Sequence, residues 1–282
     1  MRVKKEISNL DIKSKSPLNG ISLESLVNPV LNGYHSRPVI SVIIPVYREE
    51  KLIEWHLKHF TKELKKKYDF ELIVSDGGSN DRTVEMADKY ADKIVVHQEE
   101  RRQTISEGRN RGAEIASGDI LVFLNADSIP ADLDKFFEMI TLWSAYRGAY
   151  SDSDALACPV TAFPDEIILK DKIFYTLHNG YVRLLNKLGM GMGRGECQIV
   201  RRDVFKRVNG YNQHIVAGED FDLYRRIAAI GEVSFAKEIH IYESPRRFRK
   251  YGYIRTVFYW TLNSLSVWFF GKSVSQEWEA VR

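Results

Sequence analysis

Cysteine is nearly absent from this chain of 282 residues, where only Cys158 and Cys197 occur. Two isolated thiols exclude a disulfide framework and lack the paired spacings that bind zinc. They fit buried thiols in a reducing compartment, with one disulfide the most that could form. An excess of one charge is missing as well: 41 Lys and Arg stand against 38 Asp and Glu, a net of +3. Nucleic-acid binding therefore has no general electrostatic support and is not expected. Long apolar runs are lacking. Met1-Arg2-Val3-Lys4-Lys5 begins as a secretory leader begins, but Asn9, Asp11, Lys13 and Lys15 follow where an apolar core would be needed. Secretion is not expected on that ground, and a cytoplasmic location is. Two glycine motifs are missing too. The first strand runs into Pro45-Val46-Tyr47, where a dinucleotide enzyme needs glycines. Gly271-Lys272-Ser273 has the ending of a P-loop, yet Ser266 stands at its upstream glycine position.

What is present suits a globular protein with a sizeable core: 44% of residues are hydrophobic and 28% charged. The length allows one large domain with appendages. Residues 1–37 are polar, carry Pro17, Gly20, Pro29 and Gly33, and read as an extension with one short helix near Leu23–Leu26. Buried strands are predicted from Ile40, from Phe70, at Lys93–His97 and from Asp119. Between them lie helical patterns over Glu49–Lys67, Asp81–Ala91 (capped by Ser79 or Asn80) and Thr104–Ala116. Strands alternating with helices imply βαβ units and a mostly parallel sheet, hence an α/β fold. The second half predicts a strand over Leu156–Thr161, with Pro159 favouring an edge or an end. A long helix over Ile167–Leu188 follows, then a glycine-rich loop through Gly191, Gly193 and Gly195 that reads as mobile, and a strand at Cys197–Arg201. Helices at Asp203–Val208 and Glu219–Ile230 and a strand at Val233–Ala236 close the pattern.

The strand ends carry acids. Glu49 follows the first strand, Asp76 sits at the tip of the second and Asp127 at the tip of the fourth. Ligands of open α/β sheets bind beyond the carboxyl ends of the strands, so these acids point into one crevice. Asp76, before Gly77-Gly78, could accept hydrogen bonds from a nucleobase or a ribose, or could cap its own turn. Asn125-Ala126-Asp127 has the form of an Asp-x-Asp metal motif with its first acid changed to Asn. One carboxylate plus a diphosphate could hold Mg²⁺ or Mn²⁺, and a plain turn acid is the alternative. Asp220, after Gly218-Glu219, could be a general base or simply an acid in a first helical turn. Arg109 and Arg111, between Gly108 and Gly112, could approach a diphosphate or could be solvated. Arg246 and Arg247 could neutralise a leaving diphosphate or form a surface cluster. His97 and His240 read as structural.

These segments together resemble the family-two glycosyltransferases of GT-A fold. Ser41–Glu50 resembles the family's opening strand and Ile73–Thr83 its nucleotide-binding turn. Gly108–Ala113 through Gly118–Asp127 resembles its run into the metal motif. Gly218–Leu223 resembles the segment that supplies the base, and Ser244–Arg247 a late basic motif of some members; the likeness covers roughly residues 38–250. It implies a single GT-A domain over 38–245, with 246–282 as a helical appendage. It also implies an inverting, metal-dependent transfer from a nucleotide sugar, UDP by family habit, to a glycan or lipid-linked acceptor. Pro45, Tyr47, Glu49 and Asp76 would hold the nucleoside and Arg109 would lie near the nucleotide. Asp127 would bind the metal, Asp220 would be the base with Glu219 beside it, and Arg246 and Arg247 would offset leaving-group charge. Gly191, Gly193 and Gly195 would flank the acceptor. Two departures stand out: Ser75 and Asn125 replace acids common in the family. A nucleotidyltransferase and a non-catalytic module of the same fold are the competing readings.

Tyr253–Phe270 is rich in aromatics beside the basic cluster of Arg246, Arg247, Arg249, Lys250 and Arg255. Arg255 and Asn263 make it a poor membrane span. It suits either peripheral contact with the cytoplasmic membrane face or packing on the domain or in a homo-oligomer.

Overall fold

The computed structural model describes residues 39–275; the expected helix near Leu23–Leu26 lies outside them. Strands β1 (Ile40–Val46), β2 (Phe70–Asp76), β3 (Lys93–Val96) and β4 (Ile120–Leu124) are mutually parallel. They continue into β8 (Cys197–Arg201), β6 (Ala155–Ala157) and β9 (Val233–Phe235), in the order β3-β2-β1-β4-β8-β6-β9. β8 is antiparallel to both β4 and β6, while β6 and β9 are parallel. One reversed strand in an otherwise parallel sheet is the mixed α/β architecture expected.

Alternate residues of the central strands feed opposite faces. Ile40, Val42, Ile44 and Val46 pack with α1 (Ile53–Leu57) and α5 (Leu133–Ser144). Ile43 joins Leu121 and Phe123 against α7 (Arg202–Arg207) and α8 (Glu219–Ala228). Helix α4 (Ile105–Ile115) lies close on the same face: a Cβ on Gly112 would come within 2.4 Å of Ile43.

Local chemistry redraws several expected boundaries. The helix predicted over Glu49–Lys67 is two helices, α1 and α2 (Lys62–Tyr68), because the Thr61 hydroxyl caps the second by accepting from Leu64 N–H. Helix α3 (Thr83–Ala87) takes no cap from Ser79 or Asn80; the Asp81 carboxylate accepts from Thr83 N–H, and Ser79 is drawn to Asp76 instead. The strand expected over Leu156–Thr161 breaks at Cys158-Pro159 into β6 and β7 (Val160–Ala162), which join different sheets. With β5 (Ser128–Pro130) and β10 (Ile241–Glu243), β7 makes a three-stranded sheet in the order β5-β10-β7. Helix α5 was not anticipated, although Phe136, Phe137, Ile140 and Trp143 are its buried stripe and Asp132 caps it.

Helix α6 (Leu169–Lys187) and the pair α9 (Arg246–Tyr251) and α10 (Tyr253–Phe270) complete the described body. Gly252 turns the chain between α9 and α10 at φ +78°. Both helices pack on the body: Phe248 and Trp260 meet Phe174 of α6, and Trp268 stacks on Phe221 of α8. Among the described residues no helix is long and apolar enough to cross a membrane.

Candidate active site

A cleft of about 400 Å³ opens beyond the carboxyl ends of β1, β2 and β4. Pro45, Tyr47 and Glu49 line it from the exit of β1, and Asn125, Ala126 and Asp127 from the exit of β4. Glu196, Glu243, Arg246, Arg247 and Trp260 face them. The parallel register sets Val46 beside Asp76, which is why both strand tips reach the same edge. Tyr47 lies between two guanidiniums, with Arg48 5.1 Å and Arg102 5.2 Å from its ring centre.

Asp76 does not line this cleft. It is fully buried, and its carboxylate accepts from the N–H groups of Gly78 (2.9 Å) and Ser79 (2.7 Å) and from the Ser79 hydroxyl. Its acid thus fixes the turn on which the cleft floor rests.

Asp127 faces the cleft, and Arg246 Nη2 donates to its Oδ2 at 3.0 Å, with both side chains partly exposed. Among the described residues no group of three or more His, Cys, Asp or Glu side chains is placed to hold a metal. The donor set therefore fits a divalent cation in one mode. Asp127 would supply the carboxylate, and phosphate oxygens and water would complete the shell, as Mg²⁺ commonly accepts. Asn125 is not available as a second ligand in this arrangement, because its Oδ1 accepts from Arg109 Nη2 at 3.1 Å.

Arg109, expected near the nucleotide, does not itself line the cleft, although it hydrogen-bonds Asn125, which does. It is completely buried, with Nη1 donating to Glu219 Oε1 at 2.8 Å and Nη2 to the Gly195 carbonyl at 2.7 Å, while its guanidinium lies 5.2 Å from the Tyr211 ring centre. One side chain from α4 thereby ties together β4, the glycine loop and the start of α8. Glu219 is buried in this ion pair, which leaves Asp220 as the carboxylate open to chemistry.

Asp220 is only partly exposed. Burial and the negative charge of Glu219 raise its carboxyl, against the Phe221 N–H (2.8 Å) and Arg109, and it is pushed up to about 7. Such a group can take a proton near neutrality. It lies in the wall of a second, mostly apolar groove of about 730 Å³ between α6 and α10. Glu196 and Trp260 line both the cleft and this groove, so the two meet there.

The glycine loop is packed rather than slack. Gly191 adopts φ +72°, and a Cβ there would fall 2.3 Å from the Tyr224 carbonyl oxygen; one on Gly193 would fall 2.5 Å from the Tyr224 ring. The Asn186 carboxamide clasps Met192, donating to its carbonyl at 2.8 Å and accepting from its N–H at 2.7 Å. Gly193 and Gly195 line the groove; Gly191 lines neither cavity.

Sequence reasoning missed Arg102, Arg194, Glu196, Glu243 and Trp260. Arg194 donates to Glu196 at 3.0 Å and to Glu243 at 3.0 Å. Burial and Glu196 push Glu243 well up; Glu196, which burial alone would raise, is held low by Arg194 and by Glu243. Charged residues wedged among the glycines of Gly193-Arg194-Gly195-Glu196 were the available signal.

Known proteins resemble parts of this chain in sequence or share its fold. The validoxylamine A glucosyltransferase of Streptomyces hygroscopicus subsp. limoneus is 32% identical over 106 residues, 36% of this chain and 23% of that protein. Glycosyltransferase AglE of Haloferax volcanii is 38% identical over 96 residues, 33% of this chain and 32% of that protein. A PGL/p-HBAD biosynthesis glycosyltransferase of Mycobacterium tuberculosis is 31% identical over 123 residues, 42% of this chain and 44% of that protein. The chain thus spans less than half the length of these relatives. The fold is shared with the mannosyltransferase PcManGT from Pyrobaculum calidifontis, solved with GDP-Man and Mn²⁺, at TM-score 0.56 and 20% identity, covering 78% of this chain and 62% of that one. It is also shared with a mycobacterial protein at TM-score 0.57 and 16% identity, covering 89% and 79%. The family model described as glycosyl transferase family 2 matches residues 41–208, from β1 to the end of α7, and the chain belongs to that family.

Proposed function

We propose that this protein transfers a sugar, with inversion and with the help of a divalent cation, from a nucleoside diphosphate donor to an acceptor hydroxyl or lipid phosphate. The observation that carries the reading is the placement of Asp220. A carboxylate tuned near neutrality lines an apolar groove that shares Glu196 and Trp260 with an arginine-rich cleft. A binding module would need no such base.

In this reading residues 38–245 are the catalytic body, and the donor lies in the cleft. Tyr47 and Glu49 flank the nucleoside, Pro45 shapes the wall, and Asp76 acts from beneath by fixing the Gly77–Ser79 turn. Asp127 would hold Mg²⁺ or Mn²⁺, whose chemistry there is to offset diphosphate charge. Arg246 and Arg247 do the same by direct hydrogen bonds. Asp220 accepts the proton of the acceptor O–H as the acceptor oxygen forms its bond to the anomeric carbon. The bond from that carbon to the diphosphate oxygen breaks on the opposite face, and its electron pair leaves with the nucleoside diphosphate. Arg109 and Glu219 position this apparatus without touching the reacting atoms.

UDP, GDP, CMP and dTDP, each with and without Mn²⁺, should separate in a thermal-stabilisation assay, since a ligand of the folded state raises the melting temperature by mass action. One nucleotide should stabilise only with metal, and Asp127→Ala should lose that increment. No stabilisation by any of them would sink the reading.

A further inference from the structure

Helices α6 and α10 face outward with apolar stripes that their packing does not use. On α6, Leu169, Ile173, Leu177, Tyr181 and Leu184 recur at helical spacing and are exposed, Leu177 at 70%. On α10, Ile254 is 89% exposed and Phe270 75%, although Thr256, Asn263 and Val267 of the same helix are buried against the body. The groove between these helices is lined by Phe174, Leu177, Leu185, Val257, Trp268 and Phe269, and Asp220 is also in its wall. The exposed charge on these helices is basic, although Asp165 and Glu166 are exposed just before α6. Asp171 is the sole acid on α6, α9 and α10, and it is buried and paired with Arg249. Lys170, Lys172, Lys250 and Arg255 are exposed on the same three helices.

We propose that this groove binds the hydrocarbon chain of an anionic, lipid-like acceptor, with its nucleophile at Asp220 and the basic side chains of α6, α9 and α10 resting on an anionic lipid surface. The inference rests on the glycosyltransfer reading above and names the acceptor class for the same site. Three observations converge. The groove opens into the donor cleft at Glu196 and Trp260, so whatever fills it is presented to the transferred sugar. Its lining offers a sugar few hydrogen-bonding partners but suits methylene groups. The exposed charged side chains of α6, α9 and α10 are all basic, which complements phosphate or carboxylate headgroups.

The test uses the full chain and a series of n-alkyl phosphates from butyl to dodecyl, kept below their micelle concentrations, with inorganic phosphate as the headgroup control. Binding is read by tryptophan fluorescence, since Trp260 and Trp268 line the groove. Affinity should rise about fourfold per methylene until the groove is full, and inorganic phosphate should show none of this gain. Leu177→Asp, at an exposed position, should flatten that slope while leaving nucleotide-dependent stabilisation intact. The protein should co-sediment with anionic vesicles and not with neutral ones. A flat slope in the unsubstituted protein overturns the proposal. So does a dimer, seen by light scattering, that Leu177→Asp dissociates, because the groove would then serve a second copy. So does a thiol-to-amine cross-link from Leu177→Cys to a lysine among residues 1–35 of the same chain, the native thiols Cys158 and Cys197 being buried. If nucleotides stabilise while the alkyl slope is flat, this inference fails alone; if no nucleotide stabilises, the transfer reading fails first.

Discussion

Replacing Asp220 by Asn should separate stability from activity in opposite directions. The Asp220 carboxyl rises from an ordinary 3.8 to about 7 because burial and Glu219 disfavour its anion. A raised folded value means that the stability tied to this group is fully present below about pH 4 and is lost as pH rises through 7. That rise sets an upper bound of roughly 4 kcal/mol on the cost of ionising the group in the fold. Asn reproduces the neutral acid, so Asp220→Asn should melt at the same temperature as the unsubstituted protein only below the unfolded value of 3.8, at about pH 3. At pH 8 it should melt higher. Other titrating groups cancel in this comparison, since both proteins carry them. Turnover should fall roughly 10²–10⁴-fold with the loss of the base, and the acidic limb near pH 7 in the unsubstituted enzyme should disappear. Differential scanning calorimetry at the two pH values, paired with a donor-consumption assay, reads both. Near-normal turnover in Asp220→Asn, or a melting difference independent of pH, would refute the reasoning.

Other consequences follow from the same geometry. Arg109→Met should leave Glu219 buried without its partner and cost about 3–5 kcal/mol in urea unfolding. Gly189→Ala, at φ +71° with open space around it, should cost about 1–2 kcal/mol. Gly191→Ala, at a similar φ but against the Tyr224 carbonyl, should cost roughly 1–3 kcal/mol more, and equal losses would contradict the packed-loop description. Arg246→Ala should lower kcat roughly 10²–10³-fold by removing a donor aimed at the leaving group, and should leave nucleotide-dependent stabilisation measurable.

The sheet was legible because its strands are written as continuous apolar runs, and runs of that kind need cover on both faces. Asp127, Arg246 and Glu49 were readable as cleft residues because each follows the end of a strand by three residues. Asp76 shows the limit of such reading. A strand-tip acid before two glycines looks the same whether it meets a ligand or closes its own turn, and the N–H groups of Gly78 and Ser79 decide it here. Arg109 misled for a related reason: spacing places a guanidinium on a helix but does not say which face is buried. The break at Thr61 and the division of the segment around Pro159 depend on one cap and one missing donor, which hydrophobic periodicity does not register. The pairing of α6 with α10 joins residues far apart in sequence, so the groove had no sequence signature. Separate parts of it stood out, the aromatic segment Tyr253–Phe270, the glycine loop and Asp220, but not their meeting.

The central claim is tested most directly by product analysis. The purified chain would be given a nucleoside diphosphate sugar, Mn²⁺ and an alkyl-chain acceptor, and followed by ³¹P and ¹H NMR. The account predicts release of the nucleoside diphosphate, a product whose anomeric configuration is opposite to that of the donor, and loss of both in Asp127→Ala and Asp220→Asn. Release of a nucleoside monophosphate with a sugar phosphate, or retention of configuration, would contradict it.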